Sequence, residues 1–176
     1  MSERRVYDIA ISFTEKYQEV AEVIATKLEQ KGYEVYFYPS KIEDDIGTNM
    51  RERVPYIYQY QSKRVIVLFS EDYFTKRWTQ VEWEAIKTRT IKEKEEYGNQ
   101  SKFMIPVMVE EFKHQEIDGD VVHYKWNGDV EQFFEKISNL LETPKDNDKQ
   151  SFSVNNNNST IGNQFNGNTI NNLKIS

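Results

Sequence analysis

Along the first 142 residues, short apolar runs alternate with segments of helical period, and this alternation restricts the fold more than any other feature. Residues 6–13 form an apolar run in which Val6, Ile9, Ala10 and Ile11 suit a strand buried on both faces. Residues 16–31 follow, with Val20, Val23, Ile24 and Leu28 at helical spacing and Gly32 placed to end the helix. Residues 33–38 read as a second strand and 39–47 as a loop. Thr48 can cap a helix over part of 48–61, which Pro55 must kink or restart. Residues 64–69, with VIVLF, form the most apolar strand. Ser70 caps or precedes a helix expected over 72–96. Residues 103–109 and 121–126 read as the last two strands. Residues 129–141 close the region as a helix with Val130, Phe133, Phe134, Ile137 and Leu140 on one face.

Strands linked by helices imply βαβ crossovers and a parallel sheet. The predicted class is α/β, a flavodoxin-like three-layer sandwich with five parallel strands in the order 2-1-3-4-5. Ligands of such sheets sit beyond the carboxyl ends of the strands, near the switch point. Chemistry is therefore sought in residues 12–16, 38–47, 70–78 and 109–112. No GxGxxG or GxxxxGK[ST] stands there, which argues against a glycine-rich phosphate cradle. The chain has no Cys, so disulfides, thiolate nucleophiles and Cys-type zinc sites are excluded. His114 and His123 lack companions at ligand spacing, so no metal is expected. A phosphoacceptor domain needs acidic residues at the end of its first strand and an Asp ending its third. Ser12 and Phe13 end the first strand instead, and Asp72 lies past the third with no acidic cluster around it. The formal net charge of −6 disfavours nucleic acid as a partner. The first residues lack the apolar stretch of a signal peptide, and no run approaches the ~20 apolar residues of a membrane helix. A cytoplasmic location away from membranes is the expectation.

Composition breaks near Thr143. Residues 1–142 read as the folded domain, 143–150 (TPKDNDKQ) as a linker, and 151–176 as an Asn-rich tail in which nine of 26 residues are Asn. Lys145, Asp146, Asp148, Lys149 and Lys174 sum to +1, which leaves −7 on residues 1–142. Within the tail, Gly162-Asn163 and Gly167-Asn168 lie five residues apart, with Gln164 between them and Ile161, Phe165 and Ile170 as apolar punctuation. Asn and Gln ladders with spaced apolar residues and little charge suit stacked, in-register strands. A disordered polar tail or a β-solenoid rung are the alternatives.

The segment 70–86, SEDYFTKRWTQVEWEAI, places Trp78 and Glu82 four apart, on one helix face. A plain amphipathic helix with a solvated Glu is the bland alternative. Glu84 serves as the control, because on a mere surface helix Glu82 and Glu84 would be interchangeable.

Several segments together resemble a family. VYDIAISF at 6–13 looks like the first signature of TIR domains, and GYEVYF at 32–37 like their second strand. IEDDIG at 42–47 falls in their long loop, SKRVIVLFS at 62–70 resembles the third strand, and WTQVE at 78–82 matches Trp-x-x-x-Glu. The resemblance covers about residues 5–141 and is nearest to bacterial-type members. It implies an NAD⁺ glycohydrolase with Glu82 as the catalytic carboxylate and Ser12, Phe13, Tyr33 and Trp78 around the nucleotide. NAD⁺ is then a substrate, and no cofactor is implied. Thr14 and Glu15 stand where some NAD-cleaving members carry basic residues, with Lys16 and Lys41 as nearby cations. The resemblance also implies homo-oligomers or filaments and a defence or cell-death role. The tail is similar to amyloid-signalling motifs related to RHIM sequences, which implies an upstream receptor with a matching motif. The alternative within the family is a non-enzymatic adaptor that recruits other TIR proteins through residues 39–47 and helix surfaces.

Overall fold

The computed structural model describes residues 7–117 and 121–141. The chain divides into two units, Met1–Glu142 and Thr143–Ser176, and every described residue belongs to the first. Five strands, β1 (Tyr7–Ser12), β2 (Val35–Tyr36), β3 (Ser62–Phe69), β4 (Met104–Met108) and β5 (Tyr124–Lys125), form one parallel sheet. Their order is β2-β1-β3-β4-β5, as the alternation predicts. The helices are α1 (Gln18–Gln30), α2 (Ile42–Asp45), α3 (Met50–Tyr56), α4 (Arg77–Tyr97) and α5 (Val130–Leu141).

The strand period of two builds a core on each face. From β3, Val65, Val67 and Phe69 join Ala10, Val54, Tyr58 and Trp83 on the α3/α4 side. Ile66 and Leu68 join Ile9, Ile11, Ile24 and Phe133 on the α1/α5 side. This two-sided burial explains why β3 carries no alternating polar residue over Val65–Phe69. Among the described residues, no helix is long and apolar enough to cross a membrane.

Several local expectations need correction. The cap of α3 is Asn49, not Thr48, because the Asn49 side chain accepts the Arg51 N–H at 3.2 Å. The helix runs through Pro55 without ending there and then widens into a π-helical turn, Ile57–Gln61. The expected helix over 72–96 is two pieces, a 3₁₀ turn at Glu71–Phe74 and then α4. The break lets Tyr73 and Phe74 both enter the core, and Gln80 Nε2 holds the Phe74 carbonyl at 2.8 Å. Strands β2 and β5 are each two residues long, far shorter than the apolar runs around them. After α1, Gly32 takes φ +87° while Tyr33 N–H reaches the Leu28 carbonyl and Gly32 N–H the Glu29 carbonyl. That pairing is a Schellman motif, which turns the chain into β2.

Candidate active site

The carboxyl end of β1 sets the site. Alternation along the strand sends Ser12 to the same face as Ala10, toward α3 and α4, while Phe13 packs with the opposite core. Ser12 is fully buried. On the opposite wall, the second turn of α4 turns Glu82 inward, and Glu82 is only 6% exposed. Its control behaves otherwise: the Glu84 side chain is 67% exposed and pairs with Lys87 at 2.8 Å. The two glutamates are therefore not equivalent, and the surface-helix reading fails for Glu82.

Two hydroxyls meet the Glu82 carboxyl, both at Oε2. Ser12 Oγ donates at 2.5 Å and Tyr58 OH lies at 3.3 Å. Tyr73 OH backs Ser12 Oγ at 2.6 Å, and Tyr58 OH also reaches the Ile11 carbonyl at 3.2 Å. Burial raises the Glu82 carboxyl to about 7, against the opposing pull of hydrogen bonds from Ser12, Tyr58 and Trp78. Burial, and then the charge of Glu82, pushes both the Tyr58 and Tyr73 phenols well above their ordinary range, so they remain donors.

Glu82 lies at a cleft of about 380 Å³, within the size range of small-molecule sites. Phe13, Tyr38, Pro39 and Trp78 line it with Glu82. Phe13 stacks on Phe37 with centroids 5.5 Å apart, which fixes its ring against the sheet edge. Trp78 is 37% exposed and stands at the rim. A larger cavity, about 560 Å³, lies beyond β4 and β5 between Phe112, His114 and Trp126. It excludes Glu82. A buried carboxyl with a strongly displaced pKa is the better marker of chemistry than volume, so the smaller cleft is the candidate site.

The structure thus brings Phe13, Trp78, Glu82 and Ser12 together, with one change of role and one removal. Ser12 lies beneath Glu82 instead of on the cleft wall, because it is fully buried at the end of β1 with the Tyr73 hydroxyl against its Oγ. Tyr33 precedes β2 and so lies at the amino edge of the sheet, where its ring meets Phe134 at 6.5 Å. It does not line the cleft. Tyr58 and Tyr73 were not foreseen. Tyr58 sits on the π-helical turn, whose extra residue no helical-period count registers. Tyr73 looks like an ordinary core aromatic until its hydroxyl is traced.

The charges around the cleft are acidic. Glu15 lines it, whereas Thr14 is buried and donates to Asp72 at 3.3 Å. Lys16 is engaged elsewhere, with Glu110 at 2.7 Å. Lys16, Tyr17 and the Glu71 N–H together hold the Glu110 carboxyl down at about 2. Lys41 ends the 3₁₀ turn Tyr38–Lys41 and is not among the lining residues. The tail residues Ile161, Gly162, Asn163, Gln164, Phe165, Gly167, Asn168 and Ile170 lie outside the described residues.

A 3' cyclic ADP-D-ribose synthase, AaTIR, from Aquimarina amphilecti is 30% identical over 91 residues, 52% of this chain and 28% of that protein. The chain therefore spans little more than a quarter of that relative's length. The crystal structure of the TIR domain of the Toll-related receptor TRR-2 from Hydra magnipapillata matches with a TM-score of 0.59 at 19% identity, covering 78% of this chain and all of that one. At that identity the likeness speaks for the fold. The TIR domain family model matches residues 9–141, from β1 through α5, and on that extent the chain belongs to the TIR domain family.

Proposed function

We propose that this chain cleaves the bond between nicotinamide and ribose in NAD⁺, with Glu82 as the catalytic carboxylate. The observation that carries the reading is a buried Glu82 carboxyl held by Ser12 and Tyr58 at an aromatic cleft on the sheet's carboxyl edge. The similarity to a cyclic ADP-ribose synthase supports it.

The chemistry needs little more than one acid. The nicotinamide nitrogen is cationic, so breaking its bond to C1′ sends the electron pair to a neutral leaving group that needs no proton. Ordinary glycoside hydrolysis needs two carboxyl groups because its leaving oxygen must be protonated. What remains is to stabilise the cationic sugar and orient its hydroxyls, which an ionised carboxylate in a low-dielectric site does well. Ser12 and Tyr58 occupy Oε2, so a ribose hydroxyl would meet Oε1. Phe13 and Trp78 would exclude water from the ring. Water attacking C1′ and losing a proton gives ADP-ribose. A hydroxyl of the same molecule attacking instead gives a cyclic isomer.

Clustering of copies through the TIR domain and the tail, in a defence or cell-death pathway with an upstream receptor carrying a matching motif, completes the reading. Glu82→Ala should abolish nicotinamide release from NAD⁺ while far-UV circular dichroism stays unchanged. Turnover that survives in that variant would leave the second reading, an adaptor. That reading is favoured by Ile42, at the start of α2 on the cleft rim, and Ile46, just past that helix, which are 48% and 76% exposed.

A further inference from the structure

The hydroxyl protons around Glu82 do not suffice for every contact at once. Tyr58 has one O–H and two acceptors at nearly equal distance, the Ile11 carbonyl at 3.2 Å and Glu82 Oε2 at 3.3 Å. It can donate fully to only one at a time. Ser12 is in a different position. Its single proton goes to Glu82 Oε2 at 2.5 Å, so the Tyr73 hydroxyl at 2.6 Å must donate to Ser12 Oγ. Ser12 is therefore a committed donor that Tyr73 polarises, and Tyr58 is an uncommitted one.

We propose that Tyr58 is a positioning residue for catalysis, whose hydroxyl proton turns from the Ile11 carbonyl to Glu82 when that carboxyl ionises. The protonated acid competes poorly for the Tyr58 proton, which then satisfies the buried end of β1. The carboxylate competes strongly, because hydrogen bonds to an ionised acceptor are about twice as strong as neutral ones. The donor thus adds to Ser12 only when the charge is present. It stabilises the reactive form without trapping the carboxyl in one rotamer beforehand.

Among the described residues, Trp78 faces that carboxyl from α4, Ser12 from β1 and Tyr73 from the 3₁₀ turn before α4, while Glu15 from the turn after β1 and Tyr38 from the turn after β2 line the same cleft. No Lys, Arg or His lines the cleft among the described residues. The ionised form therefore depends on neutral donors, the Ser12 and Tyr58 hydroxyls and the Trp78 indole, rather than on a cation. The π-helical turn gives this arrangement its geometry, since Tyr58 is its second residue and is 2% exposed.

The inference rests on Glu82 being the catalytic carboxylate, and its test separates the two. The whole 176-residue chain is made as wild type, Tyr58→Phe, Ser12→Ala and Tyr73→Phe. The Glu82 carboxyl is titrated by carbon NMR, with Glu82→Gln assigning the signal, and nicotinamide release is followed against pH. Each substitution should raise the Glu82 midpoint, most in Ser12→Ala, by roughly 0.5 to 1 pH in Tyr58→Phe, and least in Tyr73→Phe. The rate of Tyr58→Phe should fall several-fold near pH 6 and return toward wild type above pH 8. An unmoved Glu82 midpoint in Tyr58→Phe, or a rate lowered equally at every pH, would overturn the proposal. Midpoints that shift in this order in a chain that releases no nicotinamide would instead remove the catalytic reading and keep the proton switch.

Discussion

Burial raises the Glu82 carboxyl from its ordinary 4.5 to about 7, so the folded chain keeps a proton that the unfolded chain has already lost. Below pH 4.5 both states hold it and folding is unaffected. Between 4.5 and 7 the unfolded state gains by ionising, and stability falls as pH rises, levelling off above 7. The total cost is ~3 kcal/mol. Glu82→Gln keeps an acceptor for Ser12 and Tyr58 but never ionises. It should therefore melt about 5–10 °C above wild type at pH 8, with the gap closing toward pH 4, and should release no nicotinamide. A variant that melts lower than wild type at pH 8 would show that the carboxylate contributes to stability rather than lowering it. Activity should follow the same group, with the wild-type rate rising through a midpoint near pH 7 as Glu82 ionises. A rate flat from pH 5 to 9 would assign the chemistry elsewhere. The pairing of Trp78 with Glu82 was legible because a spacing of four is a helix face. The contacts of Glu82 with Ser12 and Tyr58 span 70 and 24 residues, and no local pattern encodes them.

The elements that hold this group are legible in kind and less so in extent. Two-sided apolar runs marked β1, β3 and β4, because a parallel sheet buries both faces and leaves a continuous signal. The runs around β2 and β5 over-extended the expected strands, since apolar residues flanking the short paired segments pack their side chains on α5. Tyr33 on Phe134 and Trp126 on Phe133 are examples. The helix break before α4 was hidden because Tyr73 and Phe74 satisfy a helical period while standing in a 3₁₀ turn. The π-helical turn is pinned by α4: Arg89 Nη1 donates to the Gln59 carbonyl, and its guanidinium lies 5.1 Å from the Phe103 ring centroid. Arg89 also pairs with Glu93, one turn along. Arg89→Met should then cost about 2 kcal/mol in urea unfolding, because it leaves a part-buried carbonyl without its charged donor. Glu93→Gln should cost much less, since Arg89 keeps the Gln59 contact. Equal losses in the two variants would mean that the ion pair, rather than the turn, is what Arg89 holds.

At the scale of the molecule, residues 1–142 carry −7, and like-charged domains repel one another in dilute buffer. Dense packing of the domain thus needs a driving force from elsewhere or screening by salt. The tail of residues 151–176 has a single charged residue, Lys174, and regular apolar punctuation, so it can associate without adding to that repulsion. The tail falls outside Met1–Glu142, the unit that holds both apolar clusters of the described residues. Removing residues 151–176 should therefore leave the melting temperature within about a degree of wild type, the usual range for changes away from the core. Tethering domains to an assembled tail sets their effective concentration near the millimolar level. At micromolar protein, nicotinamide release per molecule should fall at least tenfold on truncation and recover as the truncated domain is concentrated. Raising the salt should narrow the difference, since screening within a Debye length of about 8 Å at 0.15 M removes much of the repulsion. Equal specific activity of both forms at every concentration would mean that the domain works alone and that the Asn-rich segment serves some other purpose.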